Sequence, residues 1–209
     1  MPEIETDRLL LRMFSQSDLD ELSRIYADAD VMRYLSGSPL TREESADWLK
    51  YYLSGWAEYG FGWWAVILKD CGALIGHCGL QFITVTADVE LSYGLAKAYW
   101  RKGLASEAAR ACLRFGFEQL ELDRIFALAD PANTGSHRVM QSVGMRYDRN
   151  EYYKDDRYEG DMVYYVISRE DYQRDDSPYL MRAVAGDESH ASFSGAFERR
   201  REESGIVRW

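Results

Sequence analysis

Tyr99-Trp100-Arg101-Lys102-Gly103-Leu104-Ala105-Ser106-Glu107-Ala108 is the stretch that decides the fold. Upstream, Asp88 to Leu95 is an apolar, strand-like run. Downstream, Gly103 to Leu120 has the period of a helix, with Leu104, Ala108, Cys112, Phe115 and Leu120 on its inner face. A strand, a basic turn and a helix in that order build an anion site. The first amides of a helix have no acceptor within it, and its dipole places roughly half a positive charge at that end. Phosphate is the usual guest. Gly103, Ala105 and Ser106 are small enough for a diphosphate to approach the backbone, and Arg101 and Lys102 add mobile positive charge. The plainer reading, a helix starting after a loop with its basic residues in water, fits the turn alone equally well, because single glycine turns recur widely.

Working outward, Leu9 to Phe14 reads as a first strand. Ser15-Gln16-Ser17-Asp18 offers helix caps, and Leu19, Leu22, Ile25 and Tyr26 then recur at helical spacing. Ser38-Pro39 breaks the chain. Thr41 and Glu44 form a capping box for a helix to about Glu58, with Ala46, Leu49, Leu53, Trp56 and Ala57 expected inward and Gly60-Phe61-Gly62 ending it. Trp63 to Leu68 and Ala73 to Ile83 predict a hairpin across Lys69-Asp70-Cys71-Gly72. Gly76 and Gly79 mark a bulge or a close backbone approach in its second strand. Arg124 to Ala129 is a short buried-type strand. After Pro131, Asn133 caps a helix to Ser142, and Gly144 stops it. Met145 to Tyr153 and Met162 to Ser168 are the closing strands, joined by a polar turn from Lys154 to Gly160. These elements define one expected domain over residues 1–176, followed by a polar, mobile tail over 177–209 with a helical piece at Phe197 to Glu203.

The chain has 209 residues, 46% hydrophobic and 14% aromatic, enough for one core. Its apolar runs are too short to cross a bilayer, and Met1-Pro2-Glu3-Ile4-Glu5 lacks the features of a signal peptide. Cys71, Cys78 and Cys112 have no metal-like spacing, and Cys112 belongs to a helix face. His77 beside Cys78 has no further ligands near it in sequence, so no metal is expected. A reduced, cytoplasmic setting follows. The net charge of −10 argues against nucleic-acid binding. It suits a cationic substrate, or it serves solubility alone.

The ordered series is more specific than any one part. Thr6-Asp7-Arg8-Leu9-Leu10-Leu11-Arg12 comes first, then Gly72-Ala73-Leu74-Ile75-Gly76-His77-Cys78-Gly79-Leu80, then Val89-Glu90-Leu91-Ser92-Tyr93-Gly94-Leu95 and the basic turn. Asp123-Arg124-Ile125-Phe126-Ala127-Leu128 and Asn133-Thr134-Gly135-Ser136-His137-Arg138-Val139-Met140 complete it. From Glu5 to Ser168 the chain resembles the GNAT superfamily of acetyl-CoA-dependent N-acyltransferases, and within it the branch of ribosomal-protein N-terminal acetyltransferases. The resemblance implies an α/β (α+β) fold: a mixed, mainly antiparallel sheet of about seven strands, splayed at its centre, with helices on both faces.

It also implies chemistry. Acetyl-CoA would be the co-substrate, its diphosphate on the amides of Arg101, Lys102, Gly103, Leu104, Ala105 and Ser106. Its pantetheine would run between Val89–Leu95 and Arg124–Ala129, against backbone groups of Leu91, Ser92 and Tyr93. Trp100 stands where the family usually has Gln or Arg, and packing is its expected role. Asn133 is placed to bond a pantetheine amide, to cap its helix, or to do both. Many relatives have an acidic Tyr seven residues after that Asn. Here the position is Met140, which leaves Ser136 as the candidate acid, or else as a small residue chosen for close packing. Glu90 is the candidate base, or an attractor of the cationic amine without proton transfer. Tyr34, Trp64 and Tyr93 are expected around the acceptor, with Tyr34 to Pro39, Thr84 to Ala87 and Lys154 to Gly160 as the selecting loops.

The expected reaction is direct attack of a small-molecule or peptide amine on the thioester, by a monomer or homodimer with no nucleic-acid or membrane partner. Two rivals stand beside it. Met140 in place of the acidic Tyr favours a non-catalytic module that binds CoA or a peptide. A dinucleotide-binding unit would need Gly-x-Gly-x-x-Gly, which the turn does not contain.

Overall fold

The computed structural model describes residues 2–83, 86, 88–154 and 159–183. Two short strands, β1 (Pro2–Glu5) and β2 (Leu9–Met13), come first. Three helices follow, α1 (Leu19–Tyr26), α2 (Ala29–Met32) and α3 (Arg42–Tyr59). Then come β3 (Trp63–Leu68), β4 (Ala73–Phe82), β5 (Val89–Leu95), α4 (Leu104–Glu118) and β6 (Arg124–Ala129). The chain continues through α5 (Thr134–Ser142), β7 (Arg146–Lys154), β8 (Glu159–Ser168) and β9 (Leu180–Ala183).

Among the described residues nine strands form one sheet, in the order β7-β8-β6-β5-β4-β3-β2-β1-β9. Every neighbouring pair is antiparallel except β5 and β6. The seven expected strands are present. The two additional ones, β1 and β9, lie together at one edge, where Pro2–Glu5 pair with Leu180–Ala183. Four residues of the segment expected as a tail therefore pair with the sheet, while residues 184–209, including Phe197 to Glu203, lie outside the described residues.

The sheet buries both faces. On one, α1, α2 and α3 pack Leu22, Tyr26, Leu49 and Tyr52 against Trp63, Ala65 and Ile67. On the other, α4 packs Leu104, Ala108, Cys112 and Phe115 against Trp64, Cys78, Leu80 and Leu91. The capping box of α3 is formed: Thr41 Oγ1 accepts from Glu44 N at 3.2 Å, and Glu44 Oε2 accepts from Thr41 N at 2.7 Å. Gly60, at φ 74°, ends that helix. Its inner face differs from the expected one. Leu49 and Trp56 are buried as expected, but Tyr52 is buried too and Ala57 is exposed. The tyrosine closes on Phe14 and Trp63, ring centroids 5.1 and 4.9 Å away, and aromatic burial sets the helix's rotation.

Gly76 produces the expected irregularity. It sits at φ 151° where the register of β3 and β4 shifts, and a Cβ on it would lie 2.1 Å from Gly94 O. No side chain fits between those strands.

Candidate active site

The basic turn is built by two residues in the left-handed region, Arg101 (φ 58°) and Gly103 (φ 75°). Glycine takes that conformation without steric cost. Glu107 N donates to Gly103 O at 3.0 Å and Trp100 N to Lys97 O at 3.2 Å. Between them, the amides of Arg101, Lys102, Gly103, Leu104, Ala105 and Ser106 have no acceptor among the described residues. Trp100 does not pack inward. It is exposed, with Nε1 donating to Leu95 O at 2.6 Å. No local pattern in the sequence announces what braces the turn. Arg8 Nη1 donates to Lys102 O at 2.9 Å, and Arg8 Nε to Glu107 Oε2 at 2.7 Å. Thr6 Oγ1 and Arg8 N both donate to Glu107 Oε1, at 2.7 and 2.8 Å. Burial raises the pKa of Glu107, but these hydrogen bonds outweigh it and hold the carboxyl below its ordinary range. A cleft of about 940 Å³ opens beside the turn, with Gly103, Ser106, Arg110 and Arg146 among its walls.

Past the turn lies the split in the sheet. Strands β5 and β6 pair at Glu90 and Phe126 alone. Leu91, Ser92 and Tyr93 pair with Leu80, Gly79 and Cys78 of β4, and their β6 side has no strand partner. Alternation along β5 sends Leu91 and Tyr93 toward α4 and α5, and Glu90 and Ser92 toward α1 and α3. Tyr93 Oη lies 2.8 Å from Ser136 Oγ and donates to Ser136 O at 3.1 Å. Either hydroxyl can donate in the shorter contact. Burial pushes the Tyr93 phenol well above its usual value, so it stays protonated. Asn133 caps α5, its Oδ1 accepting from Ser136 N at 3.1 Å. Met140 is fully buried.

Glu90 lies on the opposite face, in a pocket of about 130 Å³ whose walls include Tyr34, Trp48, Tyr52, Trp63, Phe82 and Tyr153. Gln81 Nε2 donates to Glu90 Oε1. His77 and Ser92 also line the pocket. His77 Nδ1 is 2.7 Å from Tyr26 Oη, which is 2.6 Å from Tyr52 Oη. Burial lowers His77 to about 3, so the ring is neutral at ordinary pH.

Trp64 is not in this pocket. It is fully buried on the α4 face, its Nε1 donating to Pro2 O at 3.0 Å, and Trp63 takes the expected place. Tyr93 likewise faces Ser136 rather than the pocket. Cys78 and Cys112 lie together in the core, sulfurs 3.4 Å apart, and Cys71 is exposed on its turn. Of the expected selecting loops, Tyr34 and Leu35 line the pocket, while residues 84, 85, 87 and 155–158 lie outside the described residues. Among the described residues no group of three or more His, Cys, Asp or Glu is placed to hold a metal, and no helix is long and apolar enough to cross a membrane.

The sequence pattern of a family described as "Acetyltransferase (GNAT) domain" matches residues 8–146. A Bacillus subtilis protein named "Uncharacterized N-acetyltransferase YnaD" is 34% identical over 173 residues, 81% of this chain and 98% of that protein. Another from the same organism, "Putative ribosomal N-acetyltransferase YdaF", is 29% identical over 113 residues, 52% of this chain and 61% of that one. The crystal structure of a GNAT-family acetyltransferase from Bacillus anthracis superposes with a TM-score of 0.69 at 31% identity, covering 80% of this chain and 99% of that one.

Proposed function

This chain belongs to the GNAT acetyltransferase family, and on that premise we propose that it moves an acetyl group from acetyl-CoA to a primary amine by direct attack in a ternary complex. Six adjacent amides without acceptors, Arg101 to Ser106 at a helix start, are the observation that carries the reading. They suit a diphosphate. The basic side chains Arg110 and Arg146 of the neighbouring cleft suit the phosphorylated adenosine end of the same molecule. The open edge of Leu91, Ser92 and Tyr93, with Asn133 across the split, suits the amide-bearing pantetheine arm.

Acetyl-CoA, when bound, supplies a thioester carbonyl open to attack. Everything else falls to side chains of this chain. Glu90 Oε accepts a proton from the incoming ammonium, directly or through one water, since only the neutral amine is a nucleophile. Ser92 and Tyr93 present backbone groups beside the developing oxyanion. Ser136 Oγ and Tyr93 Oη, 2.8 Å apart, hold the proton that the departing thiolate takes up to become the thiol. Holding both substrates in one split supplies much of the rate. The buried Cys78 and Cys112 do not line the pocket, which favours attack without an acyl-enzyme. The reading includes a cytoplasmic setting, supported by three free thiols.

Calorimetric titration with acetyl-CoA, followed by thiol release in the presence of an amine panel, tests this. Binding together with amine-dependent release is expected. Binding without release for any amine would favour a non-catalytic CoA-binding module. A narrower reading, acetylation of a ribosomal-protein N-terminus, rests on the name of the YdaF relative. Release with such a peptide would support it.

A further inference from the structure

The pocket around Glu90 says what kind of amine it takes. Its volume of about 130 Å³ is well under the ~300–1,000 Å³ of sites for drug-sized ligands. Its lining includes the aromatic residues Tyr34, Trp48, Tyr52, Trp63, Phe82 and Tyr153, together with the apolar Leu35, Leu128 and Met162. These rings support one another, with Tyr52 and Trp63 centroids 4.9 Å apart and Trp48 edge-on to Tyr52 at 6.2 Å, so the cavity is preformed. Among the described lining residues Glu90 alone carries a charge.

Several polar atoms of the lining are engaged with the protein itself, while Trp63 Nε1 is buried with no partner among the described residues. Gln81 gives its amide N–H to Glu90 and takes the Tyr51 hydroxyl on its oxygen at 3.3 Å. His77 Nδ1 is bonded to Tyr26, and the imidazole is neutral. Tyr34 Oη donates to Ala132 O at 3.4 Å. A guest with many hydroxyls or backbone amides would lose its water and find few partners among the described lining residues. A second ammonium in this pocket would meet no second carboxylate among the described lining residues. One ammonium, by contrast, finds both a carboxylate and aromatic faces that attract cations.

We infer that the acceptor is a small amine with one positive charge on an apolar body, either a single aromatic ring or a short branched hydrocarbon. Polycations, aminosugars and peptide N-termini are disfavoured. The inference rests on the acetyl-transfer reading for its chemistry, and on the pocket alone for its selectivity.

The test measures kcat/KM with acetyl-CoA for 2-phenylethylamine and isoamylamine against spermidine, kanamycin and a hexapeptide beginning with Ser. Each amine is also titrated calorimetrically into the full chain with CoA present. The two apolar amines are expected to exceed the other three by at least about tenfold, the scale on which an apolar pocket discriminates. Equal or better turnover of spermidine, kanamycin or the peptide overturns the inference. So does failure of both apolar amines to bind or react. Saturable binding of an apolar amine with no thiol release leaves the acceptor class standing and removes the acetyl-transfer reading instead. Met162→Trp, which narrows the pocket from β8, should raise KM for 2-phenylethylamine several-fold more than for ethylamine. Equal increases would show that the pocket does not seat the ring.

Discussion

Tyr93 of β5 and Ser136 of α5 meet across the split between β5 and β6, with Tyr93 Oη 3.1 Å from Ser136 O and the two hydroxyls 2.8 Å apart. The serine therefore works with a partner. Ser136→Ala and Tyr93→Phe should each lower kcat by about 10²-fold, the low end for a lost general acid, with little change in acetyl-CoA affinity. The double variant should be little worse than either single one, because groups that act as a unit are not additive. Steady-state kinetics on the four proteins checks this, and equal loss of affinity and turnover would assign the pair to packing.

Glu90→Gln should depress the rate most near neutral pH and least at high pH, where the amine is already deprotonated. A drop of about 10²-fold at pH 7 is expected of a lost base. A pH profile parallel to that of the wild type would leave Glu90 only the task of attracting the cation.

His77 is buried and neutral, and lowered from 6.5 to about 3. Between those values the unfolded chain binds a proton that the folded chain refuses. The contribution to stability is complete above pH 6.5 and is lost as pH falls toward 3, by about 1.4 kcal/mol per unit. Urea unfolding from pH 7 to pH 4 should show this slope, and His77→Gln should flatten it.

Glu107 is held below its ordinary pKa by Thr6 and Arg8 against the opposing effect of burial. Its stabilisation is present above the unfolded value and fades as pH falls through the folded one. Glu107→Gln should cost about 1–3 kcal/mol at pH 7, the scale for hydrogen bonds to a charged group. The difference from wild type should shrink toward pH 3. Because Arg8 also holds Lys102 O, the variant should raise KM for acetyl-CoA more than it lowers kcat.

Gly76→Ala should be among the most damaging single changes, at about 3 kcal/mol or more, because its Cβ would lie 2.1 Å from Gly94 O. Denaturant unfolding measures it. Gly55, whose Cβ would come no closer than 3.6 Å to a neighbouring atom, serves as the control.

Strong periodicity made α4 and seven of the nine strands legible from the sequence, and capping chemistry located the start of α3. Strands β1 and β9 were not legible. Four residues such as Pro-Glu-Ile-Glu carry too little pattern, and only pairing with each other makes them strands. The paired tryptophans show a second limit. Trp63 and Trp64 lie in a run with no polar residue to mark its faces, so the order in sequence cannot say which one meets the pocket. The bonds of Arg8 to Glu107 and of His77 to Tyr26 join residues 99 and 51 positions apart. No local spacing announces such partners. Glu90, Ser136 and the turn could be named as candidates from the sequence, but their division between opposite faces of β5 appears only in three dimensions.

The two halves of the sheet share a single rung, Glu90 with Phe126. A wedge-shaped guest that bonds both flanks would supply the missing rungs and stiffen the whole molecule at once. Melting temperature should then climb with guest concentration, as mass action requires, and amide exchange should slow in β5 and β6 before it slows at the outer strands.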